Sequence, residues 1–364
     1  MDWKNELRMN ITDVDELCRY YPMSEDEKRK LKEVERIWPM SISRYYLGLI
    51  KEFNSSDPIF KMCIPDVVEM DLNEGKLDTS GEKESTKDDG LQHKYERTAL
   101  ILSTQTCAMY CRHCFRKRLV GLSDAEIAER DERLFRYIRE HSEITNVLIS
   151  GGDAFLNSNA RLEKFLKVFT ELPNITLVRF GTRTPVTFPQ RITGDAELLD
   201  ILGRYSDKVG IHVVTQFNHP AEVTLEAVAS IRALMNQKVV VSNQTVMLKG
   251  VNDDSNTLEE LMRKLTAVGV VPYYVFQCRP VTGVKQQFQV PIVESYRIIE
   301  EARKKLDGLS KRFRYIMSHN TGKIEIFHVA ENGDAILKYH QARNPDDVGK
   351  VFKHHFDSED CWLD

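Results

Sequence analysis

Three closely spaced cysteines are the residues of this 364-residue chain best suited to chemistry. Cys107, Cys111 and Cys114 follow the spacing Cys-x3-Cys-x2-Cys, and the aromatic Phe115 comes directly after them. A cubane [4Fe–4S] cluster is usually held by four thiolates, so three thiolates leave one iron open to another ligand. The loop therefore predicts an iron–sulfur centre that binds and activates a ligand.

The same loop also permits a zinc site. His113 stands beside Cys114, and three cysteines with one histidine form a common structural zinc shell. The spacing favours the iron–sulfur interpretation, and the zinc interpretation stays open from these residues alone.

A second segment suited to ligand binding follows a predicted strand. Gly151, Gly152 and Asp153 end the run Ile-Ser-Gly-Gly-Asp. Two glycines at a strand end allow close approach of the backbone and can expose amide groups to a ligand. A plain tight turn would use the same residues.

Composition narrows the function classes. The chain is 41% hydrophobic and 29% charged, with a net charge of −4, which is typical of a globular protein and gives no electrostatic basis for nucleic-acid binding. We find no apolar run of membrane-spanning length and no basic-then-apolar leader at the N-terminus. Seven cysteines, three of them in one loop, indicate reduced thiols rather than a disulfide framework. We therefore expect a cytoplasmic protein with no membrane partner.

Short apolar runs alternate with helical patterns through the middle of the chain. The predicted strands lie at 98–103, 145–150, 175–180, 209–215, 239–242 and 271–277. One intervening helix has a capping-box start at 123–126. Repeated strand–helix units require parallel strands with crossover helices, which predicts an α/β fold, a partial (β/α)6 TIM-like barrel. Ligands collect at the carboxyl ends of such strands, and the cysteine loop follows the first one.

Three regions are predicted along the chain. Residues 1–90 form an N-terminal helical arm and linker, in which Ser24 and Glu27 provide a capping box and the polar stretch 72–93 is an exposed loop. Residues 91–310 form the core barrel. Residues 311–364 form a C-terminal β-hairpin tail, with strands at 312–317, 324–329 and 335–340.

Eight strings of the sequence resemble the lysine 2,3-aminomutase family of radical S-adenosylmethionine (SAM) enzymes, and they occur in the same order. They lie at 93–95, 110–118, 148–154, 181–186, 189–192, 217–220, 243–246 and 249–253. The resemblance implies a radical SAM barrel, a [4Fe–4S] cluster on Cys107, Cys111 and Cys114, and SAM chelating the open iron. It also implies that the enzyme moves an α-amino group from C2 to C3 of a free amino acid.

The resemblance assigns further residues to the cofactors and the substrate. Gly151, Gly152, Asp153 and Gln244 match positions at the SAM site, and Arg116 matches the arginine that pairs with the substrate carboxylate. Pyridoxal 5′-phosphate (PLP) is implied as a further cofactor, held as an imine by Lys323. The family's glycine-rich run before this lysine is reduced here to Gly322.

Contacts to the PLP phosphate are less clearly matched. Lys94 matches one family arginine, whereas the next family arginine falls at Thr98, with Arg97 beside it as a substitute. Each of these basic residues could instead be a solvated surface charge.

The predicted substrate departs from lysine. Two family aspartates that receive the distal ammonium of lysine align with Arg279 and Ile316. An arginine would repel that ammonium, so Arg279 is expected to bind a carboxylate or another anionic or polar group, with glutamate as a candidate. A salt bridge at the barrel rim is the other explanation for Arg279.

Two alternative functions stay open from the sequence. One is a PLP-independent radical SAM oxidoreductase or transferase, and the other is a non-enzymatic iron–sulfur or zinc protein. For the aminomutase, the expected partners are the amino acid substrate, a low-potential electron donor such as flavodoxin or ferredoxin, and further copies of the chain in a homo-oligomer.

Overall fold

The fold is described by a computed structural model over residues 3–119 and 127–363. The predicted helix start at 123–126 lies outside these residues. In the described part of the chain, twelve strands form one mixed sheet in chain order. The strands are β1 (Thr86–Asp88), β2 (Leu91–Tyr95), β3 (Thr98–Thr104), β4 (Asn146–Gly151), β5 (Leu177–Gly181), β6 (Gly210–Thr215), β7 (Val240–Met247), β8 (Val271–Gln277), β9 (Arg314–Ser318), β10 (Gly322–Val329), β11 (Asp334–Ala342) and β12 (Val351–His355).

Helices precede the sheet and connect its strands. The α-helices are α1 (Trp3–Leu7), α2 (Val14–Leu17), α3 (Glu25–Ile37), α4 (Arg44–Leu47), α5 (Pro58–Cys63), α6 (Glu82–Ser85), α7 (Ile127–Glu140), α8 (Asn159–Thr170), α9 (Thr184–Thr187), α10 (Gln190–Thr193), α11 (Ala196–Ser206), α12 (Leu225–Asn236), α13 (Ser255–Ala267), α14 (Lys285–Phe288) and α15 (Ile292–Lys305). Short 3-10 helices cover Val67–Met70, Lys117–Leu119, Ala154–Leu156, Pro220–Glu222 and Pro345–Asp347. In the described part of the chain, no helix is both long and apolar enough to cross a membrane.

The central strands confirm the predicted α/β class. Strands β3 to β8 correspond to the six predicted runs and pair in parallel, each with the next. Strand β9 then pairs in parallel with β8, so the parallel part of the sheet has a further strand. The sequence predicted 312–317 as part of a hairpin tail, because an apolar run shows a strand but not its neighbour. Closure of the sheet into a barrel stays a prediction.

Alternation along the parallel strands divides their side chains between two faces. Val147 and Ile149 of β4 are fully buried against the helices, whereas Leu148 and Ser150 line an internal cavity. Successive strand residues point to opposite faces, so each strand contributes one row to the core and one row to the cavity. The site is therefore built on the inner face of the sheet.

The exposed-loop prediction for 72–93 was wrong in its second half. This stretch contains α6, β1 and most of β2, and Glu82, Ser85 and Leu91 are buried. The predicted boundary near residue 90 falls between β1 and β2, which pair with each other. The division into three regions stays a prediction. The N-terminal capping box is present, since Ser24 and Glu27 bond reciprocally at the start of α3.

The C-terminal strands extend the sheet on its far side. Strands β9, β10, β11 and β12 pair successively in antiparallel fashion. The predicted hairpin corresponds to β10 and β11, and β12 was not predicted. Strand β10 matters for the site, because it carries Lys323 to the cavity.

Candidate active site

One cavity of about 360 Å³ extends from the carboxyl ends of the parallel strands into the sheet interior. All but one of the site residues predicted from the sequence line it. They are Lys94, Cys107, Cys111, Cys114, Arg116, Gly151, Gly152, Asp153, Gln244, Arg279 and Lys323. The fold therefore brings together residues that lie up to 229 positions apart in the chain, from Lys94 to Lys323.

Arg97 is the predicted residue that the fold does not bring to the cavity. It lies between β2 and β3 with an exposed side chain, and its carbonyl oxygen accepts hydrogen bonds from the backbone amides of Thr145 and Asn146. Lys94 and Thr98 line the cavity on either side of it. The connection between the two antiparallel strands directs Arg97 outward.

The N-terminal helices hold the cysteine loop from outside. Arg112 and Lys117 both form ion pairs with the fully buried carboxylate of Glu69. The backbone amide of Arg112 also donates to the carbonyl of Met62 at 2.9 Å, and Asn10 Nδ2 donates to the carbonyl of Ala108 at 2.7 Å. The predicted helical arm therefore serves as the support of the loop.

The thiols themselves lie in a desolvated setting. Burial raises the pKa of the Cys107 thiol well above its usual value, and burial raises the pKa of Cys114 to about 11. Arg183 Nη1 donates to Cys111 Sγ at 2.8 Å. Buried thiols of this kind become thiolates when a metal supplies the compensating charge.

The loop geometry suits a cluster better than a single ion. His113 Nε2 lies 3.0 Å from Gln216 Nε2 and 3.2 Å from Asn218 Nδ2, so this nitrogen faces two amides. Among the described residues, no three His, Cys, Asp or Glu side chains converge on one ion. In a cubane cluster each thiolate binds a different iron, so the three cysteines need to surround the cluster rather than meet at one point.

Gly151 and Gly152 allow the cysteine loop to pass across the end of β4. A Cβ on Gly151 would lie 2.1 Å from the carbonyl oxygen of Thr104, and one on Gly152 would lie 2.3 Å from that of Thr106. The amide of Gly152 donates to the Thr104 carbonyl at 2.6 Å. Gly151 also has a φ of +126°, which L residues rarely adopt. These glycines therefore allow the cysteine loop to pack closely against the end of β4.

Asp153 joins the loops that follow β4 and β5. Its buried carboxylate accepts hydrogen bonds from Thr182 Oγ1 at 2.5 Å and from the Arg183 amide at 2.7 Å. Burial raises the pKa of this carboxyl, in spite of these hydrogen bonds. Gln244 reaches the same cavity from β7.

Basic residues also line the cavity. Arg116 Nε donates to Glu82 Oε1 at 2.6 Å, and Arg118 Nη2 donates to Glu82 Oε2 at 2.9 Å. The Arg279 guanidinium lies 4.4 Å from the ring centroid of Phe115, and that of Arg116 lies 4.6 Å from it. Two guanidinium groups therefore pack against one aromatic ring beside the cysteines.

Arg279 retains free donor capacity. Its Nη2 donates to Ser318 Oγ at 2.7 Å, while its buried Nη1 has no hydrogen-bond partner among the described residues. Burial lowers the pKa of Arg279 to about 10, so the group is still a cation at neutral pH. Ile316, which the sequence aligned with the second family aspartate, is buried within β9 and does not line the cavity. Ser318 occupies the cavity wall in its place.

Lys323 lies on the cavity wall beside two tyrosine rings. Its Nζ lies 5.1 Å from the ring centroid of Tyr274 and 5.8 Å from that of Tyr95. Burial, with the nearby charges of Arg179, Arg279 and Lys94, lowers the pKa of Lys323 to about 7. No described residue accepts a hydrogen bond from this Nζ. A large neutral fraction near pH 7 makes the amine reactive toward a carbonyl.

Gly322 is needed for a packing reason. A Cβ at this position would lie 2.2 Å from the carbonyl oxygen of Gln341 on the neighbouring strand.

The amine of Lys94 already has two backbone acceptors, since its Nζ donates to the carbonyls of Ser80 at 3.0 Å and His319 at 2.8 Å. Burial lowers the pKa of Lys94 to about 7.

Comparison with known proteins identifies the family. The Radical SAM superfamily model matches residues 101–265. A relative from Aquifex aeolicus, provisionally named an L-lysine 2,3-aminomutase, is 40% identical over 93% of this chain and 91% of its own length. L-lysine 2,3-aminomutase of Clostridium subterminale is 37% identical over 84% of this chain and 73% of its own length. The chain belongs to the lysine 2,3-aminomutase family. Glutamate 2,3-aminomutase of Clostridioides difficile is 36% identical over 85% of this chain and 73% of its own length.

Membership of the lysine 2,3-aminomutase family makes this chain a radical SAM isomerase, and the radical SAM family uses a [4Fe–4S] cluster and SAM. The residues fit these groups, because three thiols and the Gly-Gly-Asp segment line one cavity. The thiols would hold the cluster, and SAM supplies the hydrogen-abstracting radical when bound.

Several site residues were not found from the sequence. Glu82 lies in a polar stretch that reads as solvated, and its partner Arg116 is 34 positions away. Arg179 and Ser318 lie within strands, where an isolated polar residue gives no distinct signal. For Arg179, the one available indication was that an arginine interrupts the otherwise apolar run of β5.

Proposed function

We propose that this protein is a PLP-dependent radical SAM aminomutase that moves the α-amino group of a free amino acid from C2 to C3. The substrate carries an anionic or polar side chain, and glutamate is the first candidate. The observation that carries this proposal is the placement of Lys323 and Arg279 in the cavity that the three cysteines line. Overall the amino group and one hydrogen exchange carbons, so substrate and product have the same composition.

PLP, when bound, supplies the π system that carries the amino nitrogen between the two carbons. The chain provides an amine to hold it. Lys323 lines the cavity between two tyrosine rings, and its lowered pKa keeps much of it unprotonated near pH 7. These features support Lys323 as the residue that binds PLP covalently.

Arg116 is suited to bind the substrate carboxylate. A guanidinium and a carboxylate form charge-assisted hydrogen bonds of good geometry. In the present structure Glu82 fills this role, so an incoming carboxylate would compete with Glu82 for Arg116. Arg116 lines the cavity, and its charge favours an acid over an uncharged amine there.

Arg279 supports discrimination against lysine. Its guanidinium has an unpartnered donor, and its charge would repel a distal ammonium within the buried cavity. A distal carboxylate would satisfy that donor. The relatives do not separate the two substrates, since the glutamate 2,3-aminomutase is 36% identical and the lysine enzyme of Clostridium subterminale 37%.

Covalent trapping tests the PLP part of the proposal. The full chain is reconstituted anaerobically with iron, sulfide and PLP, treated with borohydride and analysed by peptide mass spectrometry. We expect a phosphopyridoxyl adduct on Lys323 that is absent from Lys323→Arg. If wild-type protein cleaves SAM but carries no adduct, the PLP-independent radical enzyme becomes the better assignment. The commitment of Lys94 to two carbonyl groups favours that second candidate.

A comparison of turnover rates tests the proposed class of substrate side chain. We expect the loaded enzyme to convert glutamate faster than lysine, and Arg279→Gln to lose this preference. Arg204→Gln, which removes a surface arginine paired with Asp200, is the matched control. Equal turnover of both amino acids by the wild type would refute the assigned side-chain class.

The partners of this reaction are also proposed. Reductive SAM cleavage needs an electron at low potential, for which flavodoxin or ferredoxin is the expected class of donor. Homo-oligomer formation and a cytoplasmic location belong to the same proposal.

A further inference from the structure

Arg179 is a partly buried cation on the inner face of the sheet. It lies in the middle of β5, in register with Leu148 of β4, which pairs in turn with Leu100 of β3. All three side chains line the cavity. On its two neighbouring strands Arg179 lies beside Leu148 of β4 and His212 of β6, so neither side offers it a carboxylate.

The hydrogen bonding of Arg179 is incomplete. Its Nη2 donates to Asn146 Oδ1 at 2.6 Å, while its buried Nε has no partner among the described residues. Burial lowers the pKa of Arg179, and the anion-forming groups that act on it are Tyr273 and Tyr274, which are uncharged near neutral pH. No carboxylate of the described residues pairs with it.

Five other arginines with little exposed surface differ from Arg179 in this respect. Each has a carboxylate within 3 Å: Arg112 with Glu69, Arg116 with Glu82, Arg161 with Asp131, Arg183 with Glu222, and Arg191 with Asp195. Arg130 has a more distant carboxylate, Asp89 at 3.8 Å, and Arg279 has none among the described residues. A buried charge without a counter-ion is costly, so its retention points to an anion that arrives with a ligand.

We propose that Arg179 binds the phosphate group of the PLP that Lys323 holds. Arg179 and Lys323 line the same cavity. Arg179 Nη2 donates to Asn146, whose Nδ2 donates to Thr98 Oγ1 at 3.0 Å. Thr98 pairs across the strands with Tyr95, and the Tyr95 ring centroid lies 5.8 Å from Lys323 Nζ. A phosphate offers a near-double negative charge and three acceptor oxygens, which match an arginine with a free Nε. This inference rests on the proposed PLP-dependent function.

The other cations of the cavity are less suited to the phosphate. Lys94 already donates to two carbonyl oxygens, and Arg97 is exposed outside the cavity. Arg116 and Arg279 lie against Phe115 beside the cysteines, where the amino acid is expected. Arg179 therefore supplies the cation that the sequence resemblance placed at Arg97.

Comparison of PLP with pyridoxal tests this assignment, because pyridoxal lacks only the phosphate. Dissociation constants are measured by absorbance for the full chain, and covalent attachment at Lys323 is verified by borohydride trapping. We expect wild-type protein to prefer PLP by roughly 10- to 100-fold, the range of one or two charge-assisted hydrogen bonds. Arg179→Gln should lose most of that preference while its affinity for pyridoxal stays within about twofold.

Two further variants sharpen the test. Arg179→Lys keeps the buried charge and should retain part of the preference, which guards against failure of the glutamine variant to fold. Arg97→Gln removes a nearby arginine outside the cavity and should keep the full preference. Retention of pyridoxal binding in Arg179→Gln verifies that its site is intact.

The outcomes separate this inference from the proposed function. Wild-type binding of PLP at Lys323, together with an undiminished phosphate preference in Arg179→Gln, overturns the role of Arg179 alone. Loss of the preference in Arg97→Gln also overturns it, since the phosphate would then bind at the outer end of the strands. If neither compound attaches to Lys323 in the wild type, the proposed function fails and this inference fails with it.

Discussion

Glu82 holds Arg116 through a 2.6 Å hydrogen bond from the arginine Nε. The arginine expected to bind the substrate carboxylate thus already binds a carboxylate of its own chain. Glu82 is held in place in turn, because Asp78 accepts hydrogen bonds from the amides of Ser80, Glu82 and Lys83. Segment 78–85 therefore covers Arg116 on one side of the cavity.

We expect Glu82→Gln to bind the amino acid substrate more tightly. Glutamine keeps the size of the side chain but removes the charge that competes for Arg116, so the dissociation constant should fall by about tenfold, roughly 1.4 kcal/mol. Calorimetric titration of the cofactor-loaded protein measures it. Glu84→Gln, on the same helix but paired with the exposed Arg343, is the control and should leave the constant unchanged. Weaker binding by Glu82→Gln would mean that Glu82 positions Arg116 rather than competes for it.

Glu82 also predicts acid sensitivity. Burial favours the neutral acid, but Arg116 and Arg118 more than offset it and lower the pKa of Glu82. A carboxyl whose pKa is lowered on folding stabilises the fold above its unfolded value of about 4.3, and that stability is lost as the pH falls through the folded value. Denaturant titrations at pH 7 and below pH 4 should therefore show a smaller loss for Glu82→Gln than for the wild type. Equal losses of stability in the two proteins would show that Glu82 is not the source of the acid sensitivity.

Attachment of PLP to Lys323 should depend on pH around neutrality. The pKa of Lys323 is lowered to about 7, chiefly by burial and then by Arg179, Arg279 and Lys94. Because only the neutral amine reacts, the rate should rise about tenfold per pH unit below pH 7 and level off above it. Stopped-flow absorbance measures the rate. A rise that continues past pH 9 would show an amine with an ordinary pKa.

The apolar runs predicted β3 to β6 and β8 to within two residues at each end, whereas the run at 239–242 covers only the first part of β7. They did not predict that β9 joins the parallel strands, since an apolar run carries no information about its neighbour. Glu82 was missed for a related reason. Its segment is polar throughout, and its burial depends on Arg116 and Arg118, which only the fold brings to it.

The cysteine loop was predicted from its fixed spacing, and Lys323 from the resemblance to the family, although the glycine-rich run before it is reduced to Gly322. Arg97 was expected beside Lys94 from its position alone, yet the turn between β2 and β3 directs it outward. Arg179 shows the converse, since it lies in the cavity although no motif indicated it. Motifs locate residues by sequence, whereas a single buried charge becomes meaningful only once its missing partner is seen.

Gly151→Ala should disrupt the packing of the cysteine loop against the end of β4. The added Cβ would lie 2.1 Å from the Thr104 carbonyl oxygen at a φ of +126°, so the backbone must move. We expect the free energy of unfolding to fall by about 2 kcal/mol or more, with a lower iron content after reconstitution. Gly308→Ala is the matched control, since no atom lies within 4 Å of its added Cβ. Full iron incorporation in Gly151→Ala would show that the loop adapts.

Glu69→Gln should loosen the cysteine loop from the N-terminal helices. Glu69 is fully buried and pairs with both Arg112 and Lys117, so the loss of its charge leaves two cations uncompensated. Breaking a buried ion pair costs about 3–5 kcal/mol, and the loop between these cations carries Cys114, a predicted cluster ligand. We expect a lower free energy of unfolding, and a weaker electron paramagnetic resonance signal per chain after reduction of the reconstituted protein. Glu74→Gln, which removes a partly exposed partner of Lys285, is the matched control. An unchanged signal in a destabilised Glu69→Gln protein would limit the role of Glu69 to folding, because the loop would then hold its cluster without this clamp.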